Sequence, residues 1–446
     1  MFARHHGGVF ILRIDDTDLD RSEQRYEDEI KEGLRWLGLD WDEGVDVGGD
    51  HGPYRQSDRM GRYREVVEAL VESGHAYYDD RSTEELEGLR QKAQQEKLHP
   101  NHYIRRPDTV ATTGVVRFSV PQDAAVEFDD VIRGTVRFES GVIDDFVIYR
   151  SNGTPTYHLA STTDDLDHEI THVIRGEDLL SSTPKHILLS RAIGGTEPRY
   201  AHLPLIMGPD GKPLSKRHGP TSLKEFRDRG FLPEAFRNYL SLLGWSIDSE
   251  RTVFTTEEAI AAFELSNVSK NPAVFDTSKL EWMNGEYIRA LPASEFIARV
   301  RPHVESGLGR ELDSGEWAQF EQMAALVQER TKFFSDAAEQ VRFLFTDEVD
   351  YDQSSWSKVM EKEGVGEVLR VSTEKLAGLV AFDHDSVETA LRSMLEDLDI
   401  GAKKGLQPLR VAVTGSQVSP PLFESISVLG KDRTLARLAD CQARLG

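Results

Sequence analysis

Gly8-Val9-Phe10-Ile11-Leu12-Arg13-Ile14 is a short apolar run rich in β-branched and aromatic residues, and Asp15-Asp16-Thr17-Asp18 follows it directly. Such a run reads as a strand buried on both faces, as in the parallel sheets of α/β domains. The polar residues then emerge at the strand's carboxyl end, where open α/β sheets bind their ligands. Working outward, Asp20 and Glu23 resemble a capping box, and Tyr26, Ile30, Leu34 and Leu37 recur at helical spacing until Gly38 stops the pattern. Ser57 to Gly74 repeats the theme, with Tyr63, Val67, Leu70 and Val71 on one face. Strand, helix and helix fit a doubly wound sheet.

Between about Arg81 and Arg150 the pattern changes to a polar helix and short alternating runs such as Gly114-Val115-Val116-Arg117-Phe118-Ser119-Val120. This stretch reads as an inserted α+β module. Signals of the first domain resume with Glu169 to Ile174 and with Thr183 to Ile193, where Thr183 is expected to cap and Pro184 to take the first helical position. Beyond about Ala290 amphipathic helical patterns dominate, so a separate helical domain is expected to end the chain. The division that follows is 1–80 and 151–220 for an α/β domain, 81–150 for the insertion, 221–290 for a connecting region and 291–446 for the helical domain. A length of 446 residues suits roughly three domains, each with its own core.

Composition narrows the possibilities. No apolar run approaches the ~20 residues that a membrane span needs, and Met1 to Gly8 lacks the apolar segment of a signal peptide. A cytoplasmic protein without a membrane partner is expected. Cys441 is the single cysteine, which excludes an internal disulfide and a structural zinc held by thiolates. The net charge of −24 opposes broad nonspecific binding to DNA or RNA, because counterion release needs Lys and Arg facing phosphates. Any RNA contact must use local basic patches.

Three segments carry the chemistry. Gly208-Pro209-Asp210-Gly211-Lys212-Pro213-Leu214-Ser215-Lys216-Arg217-His218-Gly219 joins glycines to a tight cluster of positive charge. It reads either as a loop that closes over phosphate as negative charge builds, or as an exposed turn with incidental basic residues. A carboxylate within Arg13-Ile14-Asp15-Asp16-Thr17-Asp18 could hold a substrate ammonium. Asp16, Asp18, Asp20 and Glu27 also have the spacing of a calcium loop, although Arg21 stands where that loop wants Gly and a strand precedes it. Third, Gly153-Thr154-Pro155-Thr156-Tyr157-His158-Leu159 leads to Asp164-Asp165 and then to Arg175-Gly176-Glu177-Asp178. Arg175 beside a strand end could pair bidentately with a carboxylate substrate, or make a structural salt bridge. His158 and His202, taken singly, read as structural histidines. No Walker loop, dinucleotide fingerprint or metal-spaced histidine cluster appears.

Phe10 to Asp18, Gly52-Pro53-Tyr54-Arg55-Gln56-Ser57, Pro155 to Leu159, Val173 to Asp178 and Pro213-Leu214-Ser215-Lys216-Arg217 together resemble, in order, the signatures of the bacterial class I glutamyl-tRNA synthetases. Phe275-Asp276, Trp282-Met283-Asn284 and Gln407-Pro408-Leu409-Arg410 extend the resemblance into the later regions. It implies a Rossmann-like catalytic domain interrupted by an acceptor-stem module, then a stem-contact region over 221–290 and a helical anticodon-binding domain. It further implies ATP with Mg2+, L-glutamate and tRNA(Glu) as ligands of a monomer. By resemblance, Lys216 binds phosphate with Ser215 and Arg217 beside it. Ile206, Asp178, Pro213 and Leu214 match nucleotide contacts, and Tyr157, Ser161 and Arg175 match positions that hold glutamate. Asp15 matches the acid that receives its amino group.

Asp15 stands where the bacterial family usually has Glu, Ser161 replaces a usual Asn, and Pro213 occupies a place where Lys is common. The family also begins with a strand, a glycine turn and a His-rich ATP motif that are not among these residues. That comparison implies an N-terminally truncated chain, inactive as written. Two rivals to an active glutamate enzyme follow. A tRNA-binding pseudo-synthetase is one, and a glutaminyl-tRNA synthetase is the other, suggested by Asp15 and opposed by the helical C-terminal pattern.

Overall fold

The carboxyl ends of parallel strands gather the polar segments of this chain at one place. In the computed structural model, residues 1–446 are described apart from 18–22, 100–101, 122–124, 216, 218–221 and 446. The chain forms two units, Met1–Lys224 with Arg237–Asp276, and Glu225–Phe236 with Thr277–Gly446.

The first unit runs α1 (Phe2–His5), β1 (Ile11–Leu12), α2 (Gln24–Trp36), β2 (Glu43–Gly44), α3 (Met60–Glu72), β3 (Ala76–Asp79) and α4 (Thr83–Gln95). It continues with β4 (Val115–Phe118), β5 (Val126–Asp130), β6 (Gly134–Phe138), β7 (Phe146–Tyr149), α5 (Tyr157–Asp167), β8 (His172–Gly176), α6 (Thr183–Ile193) and β9 (Arg199–Leu203). β10 (Ile206–Met207) and β11 (Ala273–Val274) complete it. β1 pairs parallel with β2, and β8 and β5 each pair parallel with β9 in a four-stranded sheet of order β6-β5-β9-β8. β3, β4 and β7 form a separate antiparallel sheet. Two strands of the 81–150 stretch, β5 and β6, are thus hydrogen-bonded into the same sheet as β8 and β9.

Local sequence explains most of these elements. Ser82 and Glu85 close a capping box on α4, and Gly38, Gly74 and Gly194 follow α2, α3 and α6 with positive φ, the backbone region that glycine enters most easily. Tyr63, Val66, Val67 and Leu70 of α3 pack against Phe118, Ile148, Leu159 and Ile187 in one core. Ile132, Ala201, Trp245, Phe254 and Phe263 form a second.

Three expectations change. The strand expected over Gly8 to Ile14 shortens to Ile11–Leu12, and Val9 and Phe10 are 61% and 36% exposed rather than buried on both faces. Among the described residues β1 is paired on one side only, with β2. The first half of the apolar stripe of α2 faces outward, with Tyr26 46% and Ile30 52% exposed, while Leu37 at its end is buried. The buried face instead carries Glu27 and Lys31, which pair with each other at 3.0 Å and with Arg55 and Asp46 respectively. Ion pairs hold the first half of this helix, and Leu37 packs its end into the core. Finally, Ser182 and not Thr183 is the N-cap residue of α6.

The second unit is almost wholly helical, from Thr277–Ala290 to Lys431–Leu445. Its core gathers Phe296, Phe320, Met323, Val341, Leu369, Leu391, Leu409 and Leu438. Two motif residues here are tied into hydrogen-bond networks, while Trp282 is 48% exposed. Buried Asn284 donates to the Lys332 carbonyl at 2.6 Å and accepts from the Leu232 amide at 2.8 Å. Arg410 donates to the Pro420 carbonyl and to Ser419 Oγ, each at 2.6 Å. No helix among the described residues is long and apolar enough to cross a membrane.

Candidate active site

Beyond β1, the backbone of Ile14 pairs with Tyr54 and Gln56, which carries Arg13 and Asp15 toward α5. Arg13 grips Asp15 with Nε–Oδ1 at 2.6 Å and Nη2–Oδ2 at 3.1 Å. Its remaining donors reach Asp165 Oδ1 at 2.7 Å and Ser161 Oγ at 3.3 Å on α5. Burial raises the Asp165 pKa, against the nearby Arg13 charge that lowers it. Its chain neighbour Asp164 is fully buried and accepts from Gln56 Nε2, Arg59 Nε and Tyr63 OH at 2.8–2.9 Å. Asp16 takes no part in this cluster. Its two oxygens accept the Ser57 amide at 2.8 Å and the Ser57 hydroxyl at 2.7 Å.

Tyr157 and Ser161 lie four residues apart on α5, hence on one helix face. Tyr157 OH accepts Arg175 Nη1 at 3.1 Å. The rest of the Arg175 guanidinium is turned inward. Its Nη2 donates to Thr183 Oγ1 at 2.8 Å and to the Leu179 carbonyl at 3.3 Å, and its Nε donates to His202 Nε2 at 3.2 Å. Arg175 therefore makes no structural salt bridge among the described contacts. The bidentate fork expected from sequence is also unavailable at the Nη2 edge. What it offers outward is the Nη1 edge beside the exposed Tyr157 hydroxyl. The four residues expected to hold glutamate are joined in two linked pairs, Asp15 with Ser161 through Arg13, and Arg175 with Tyr157.

The residues expected to contact nucleotide follow β8 and β9. Asp178 is exposed beyond Gly176. Ile206 Cα pairs across β10–β11 with Ala273, and its carbonyl accepts the Leu214 amide at 2.9 Å, while Pro213 bridges to Met207. Ile206, Pro213 and Leu214 thus meet in one hairpin, whose tight turn at Gly208 to Lys212 is closed by the Gly208 amide on the Lys212 carbonyl at 2.7 Å. Glu177 accepts the Leu205 amide at 3.0 Å and pairs with Arg133, joining the β8 end to this hairpin. Ser215 and Arg217 sit beyond it, Arg217 3.5 Å from Asp210. Lys216 and His218 lie outside the described residues. A cavity of about 1430 Å³, lined by Phe10, Ile174, Leu203 and Ile206 among others, takes in Ile206 but none of the four residues around Arg175.

No group of three or more His, Cys, Asp or Glu among the described residues is arranged to hold a metal ion. Of the calcium-loop residues, Asp18 and Asp20 lie outside the described residues. Glu27 is engaged by Arg55, whose hydrogen bonds hold its carboxyl at about 2. Sequence reading missed Arg13, Asp130 and Thr183 as site residues. Arg13 and Thr183 bond within ten residues to Asp15 and Arg175, but Asp165 lies 152 residues from Arg13 and Asp130 lies 72 from His202, where no local pattern marks the pairing.

The arrangement leaves one guanidinium edge of Arg175 beside Tyr157, an acid, Asp15, forked by Arg13, and a tight hairpin after β9. Residues 1–282 match the family described as tRNA synthetases class I (E and Q), catalytic domain, and residues 295–441 match an anticodon binding domain. The chain is 44% identical, over its whole length and 92% of the relative's, to a glutamate–tRNA ligase of Dehalococcoides mccartyi. It is 41% identical to glutamate–tRNA ligase 2 of Rubrobacter xylanophilus, again over all of this chain and 92% of that protein. The crystal structure of a glutamate tRNA ligase from Elizabethkingia meningosepticum in complex with its amino acid matches with a TM-score of 0.84 at 29% identity, covering 100% of this chain and 94% of that one.

Proposed function

The chain belongs to the class I tRNA synthetases for glutamate and glutamine, and from this membership, with full-length identity to glutamate–tRNA ligases, we infer that it is a glutamate–tRNA ligase. It activates glutamate with ATP and transfers it to tRNA. In the first step a glutamate carboxylate oxygen attacks the α-phosphate of ATP, releasing pyrophosphate and leaving an enzyme-bound adenylate. In the second, the terminal ribose hydroxyl of tRNA(Glu) takes the acyl group and AMP departs. Mg2+ accompanies ATP and shields its phosphates. No covalent bond to the protein is needed, so the protein contributes position and charge.

In this reading the side-chain carboxylate of glutamate meets Arg175 Nη1 and the Tyr157 hydroxyl. Its ammonium meets Asp15, whose oxygens keep lone pairs beyond those taken by Arg13. Ser161, hydrogen-bonded to the same arginine, lines the space between them. Ile206, Asp178, Pro213 and Leu214 receive the nucleotide, while Ser215, Lys216 and Arg217 meet its phosphates. The observation that carries the assignment is the Arg175–Tyr157 pair, one guanidinium edge left outward beside a phenol while every other donor is tied down.

The test is charging of tRNA with labelled glutamate, alongside glutamine as a competitor substrate. Arg175→Ala is expected to weaken glutamate more than ATP. Charging with glutamine in preference to glutamate would overturn the reading, and an equal loss for both substrates in the variant would remove Arg175 from the glutamate site.

A further inference from the structure

Behind Arg175 lies a buried chain of hydrogen bonds that the reaction does not itself require. Arg175 can only donate, so His202 Nε2, 3.2 Å from its Nε, must carry a lone pair. The ring proton then sits on Nδ1, which is 2.6 Å from Asp130 Oδ2. The tautomer is fixed by its neighbours. Asp130 and His202 are both buried, and the backbone amides of Ile132, Arg133 and His202 also donate to the Asp130 carboxylate at 2.8–3.2 Å. Burial alone would raise the Asp130 pKa, but the hydrogen bonds from His202 and these amides outweigh it and hold the carboxyl below its ordinary value. Thr183 Oγ1 lies 3.0 Å from the same His202 nitrogen and accepts from Arg175 Nη2. Tyr200 stacks on the His202 ring at 6.2 Å and lies under the guanidinium, 5.8 Å from its carbon.

We propose that His202, oriented by Asp130, is a positioning residue for glutamate recognition: it holds the Arg175 guanidinium so that its Nη1 edge faces the substrate carboxylate. The proposal rests on the reading that Arg175 receives that carboxylate. A guanidinium on a flexible side chain samples several orientations in solution, and each costs affinity unless the protein removes it beforehand. Three neighbours do this here. Only the His202 contact reads Nε, the atom about which the planar head is set, and only a neutral acceptor there leaves the Arg175 charge unopposed.

The experiment compares His202→Asn, His202→Gln, Thr183→Val and Arg175→Lys in the full chain. Glutamate affinity is measured by calorimetry, and glutamate and ATP KM by charging. Asn keeps a donor toward Asp130 but places no acceptor at the Nε2 position, whereas the Gln carbonyl reaches that position. We expect His202→Asn to weaken glutamate about tenfold, the scale of one lost hydrogen bond to a charged group, with ATP KM nearly unchanged. His202→Gln restores most of the loss. Thr183→Val leaves the buried Asp130–His202 pair intact and shifts glutamate in the same direction, which keeps the test open if His202→Asn does not fold. Equal effects of the Asn and Gln variants, or parallel losses for glutamate and ATP, would show His202 to be structural only. Arg175→Lys separates the two ideas. If it leaves glutamate affinity intact, the assignment of Arg175 itself is wrong, whatever His202 does.

Discussion

Arg13 and Asp15, two residues apart, close a forked ion pair in which Nε–Oδ1 is 2.6 Å and Nη2–Oδ2 is 3.1 Å. The same guanidinium reaches Ser161 and Asp165 on α5, so it fixes the acid at the strand end relative to the helix that carries Tyr157. Lysine keeps the charge but cannot make the fork. Arg13→Lys is therefore expected to raise glutamate KM roughly tenfold, a loss on the scale of one or two charge-assisted bonds, with a smaller effect on ATP. Steady-state kinetics with each substrate varied in turn checks this. An unchanged glutamate KM would mean that Asp15 is held in place without Arg13.

Asp164 has a different task. Its carboxylate is fully buried under Gln56, Arg59 and Tyr63, and Arg59 is itself buried. Removing Asp164 leaves Arg59 with Asp167 alone and leaves the buried Gln56 and Tyr63 donors unpaired, at a cost on the order of 3 kcal/mol. Asp164→Ala should destabilise the first unit by that order, seen as a lower urea midpoint, while Asp164→Asn should cost less because an amide oxygen still accepts. A midpoint within error of the parent would contradict this account of the core.

These two arginine networks show what the sequence could and could not disclose. The sheet, the helices and the helical second unit were legible because apolar spacing and glycine stops are local signals. The outward face of α2 was not, since Tyr26 and Ile30 have the spacing of a core stripe while the true anchors, Glu27 and Lys31, look like surface residues. Thr183 carries a capping residue's side chain, yet its hydroxyl is taken by Arg175 and His202. Candidate site residues came from motif resemblance, and the structure joins four of them in two pairs, Asp15 with Ser161 through Arg13 and Arg175 with Tyr157. Their supporting partners were hidden by distance along the chain: Asp165 is 152 residues from Arg13, and Asp130 is 72 from His202. A lone buried histidine gives no sign of which acid will orient it.

Lys216 supplies a test of the second chemical cluster from its sequence setting. It lies outside the described residues, but Ser215 and Arg217 flank it beyond the Ile206–Leu214 hairpin. A charge aimed at negative charge that grows on phosphate acts mainly in the transition state. Lys216→Ala is expected to slow glutamate-dependent ATP–pyrophosphate exchange about a hundredfold, as loss of one such stabilising group does. Its tRNA dissociation constant should stay within about twofold, a difference of less than half a kcal/mol. Equal losses in exchange and tRNA affinity would assign this lysine to RNA binding instead.

The last prediction concerns acid. His158 Nδ1 and His186 Nε2 lie 3.2 Å apart behind Tyr157, where one ring must donate and the other accept. Burial, followed by the charges of Lys185 and Arg175, depresses the His158 pKa to about 4. Burial and then Arg175, His158, Arg13 and Lys185 hold His186 well below its ordinary value. Both rings are thus neutral in the fold and become protonated more readily once the chain unfolds. Their contribution to stability is complete above the unfolded pKa of about 6.5 and is lost as pH falls toward 4, at up to about 1.4 kcal/mol per pH unit for each ring. His168 and His172 shift the same way, both chiefly through burial. Carboxylates held low, such as Glu27 at about 2, lose their contribution only further down, below about pH 4.5. Between pH 6.5 and 4.5 the fall therefore comes from the histidines of the first unit, opposed only by carboxyls that burial raises, such as Asp165. Urea midpoints for that unit should fall across this window, and His186→Phe, which keeps an aromatic ring without a proton site, should flatten the fall. If the variant keeps the full slope, the acid sensitivity lies elsewhere and the His158–His186 pair is protonated in the fold.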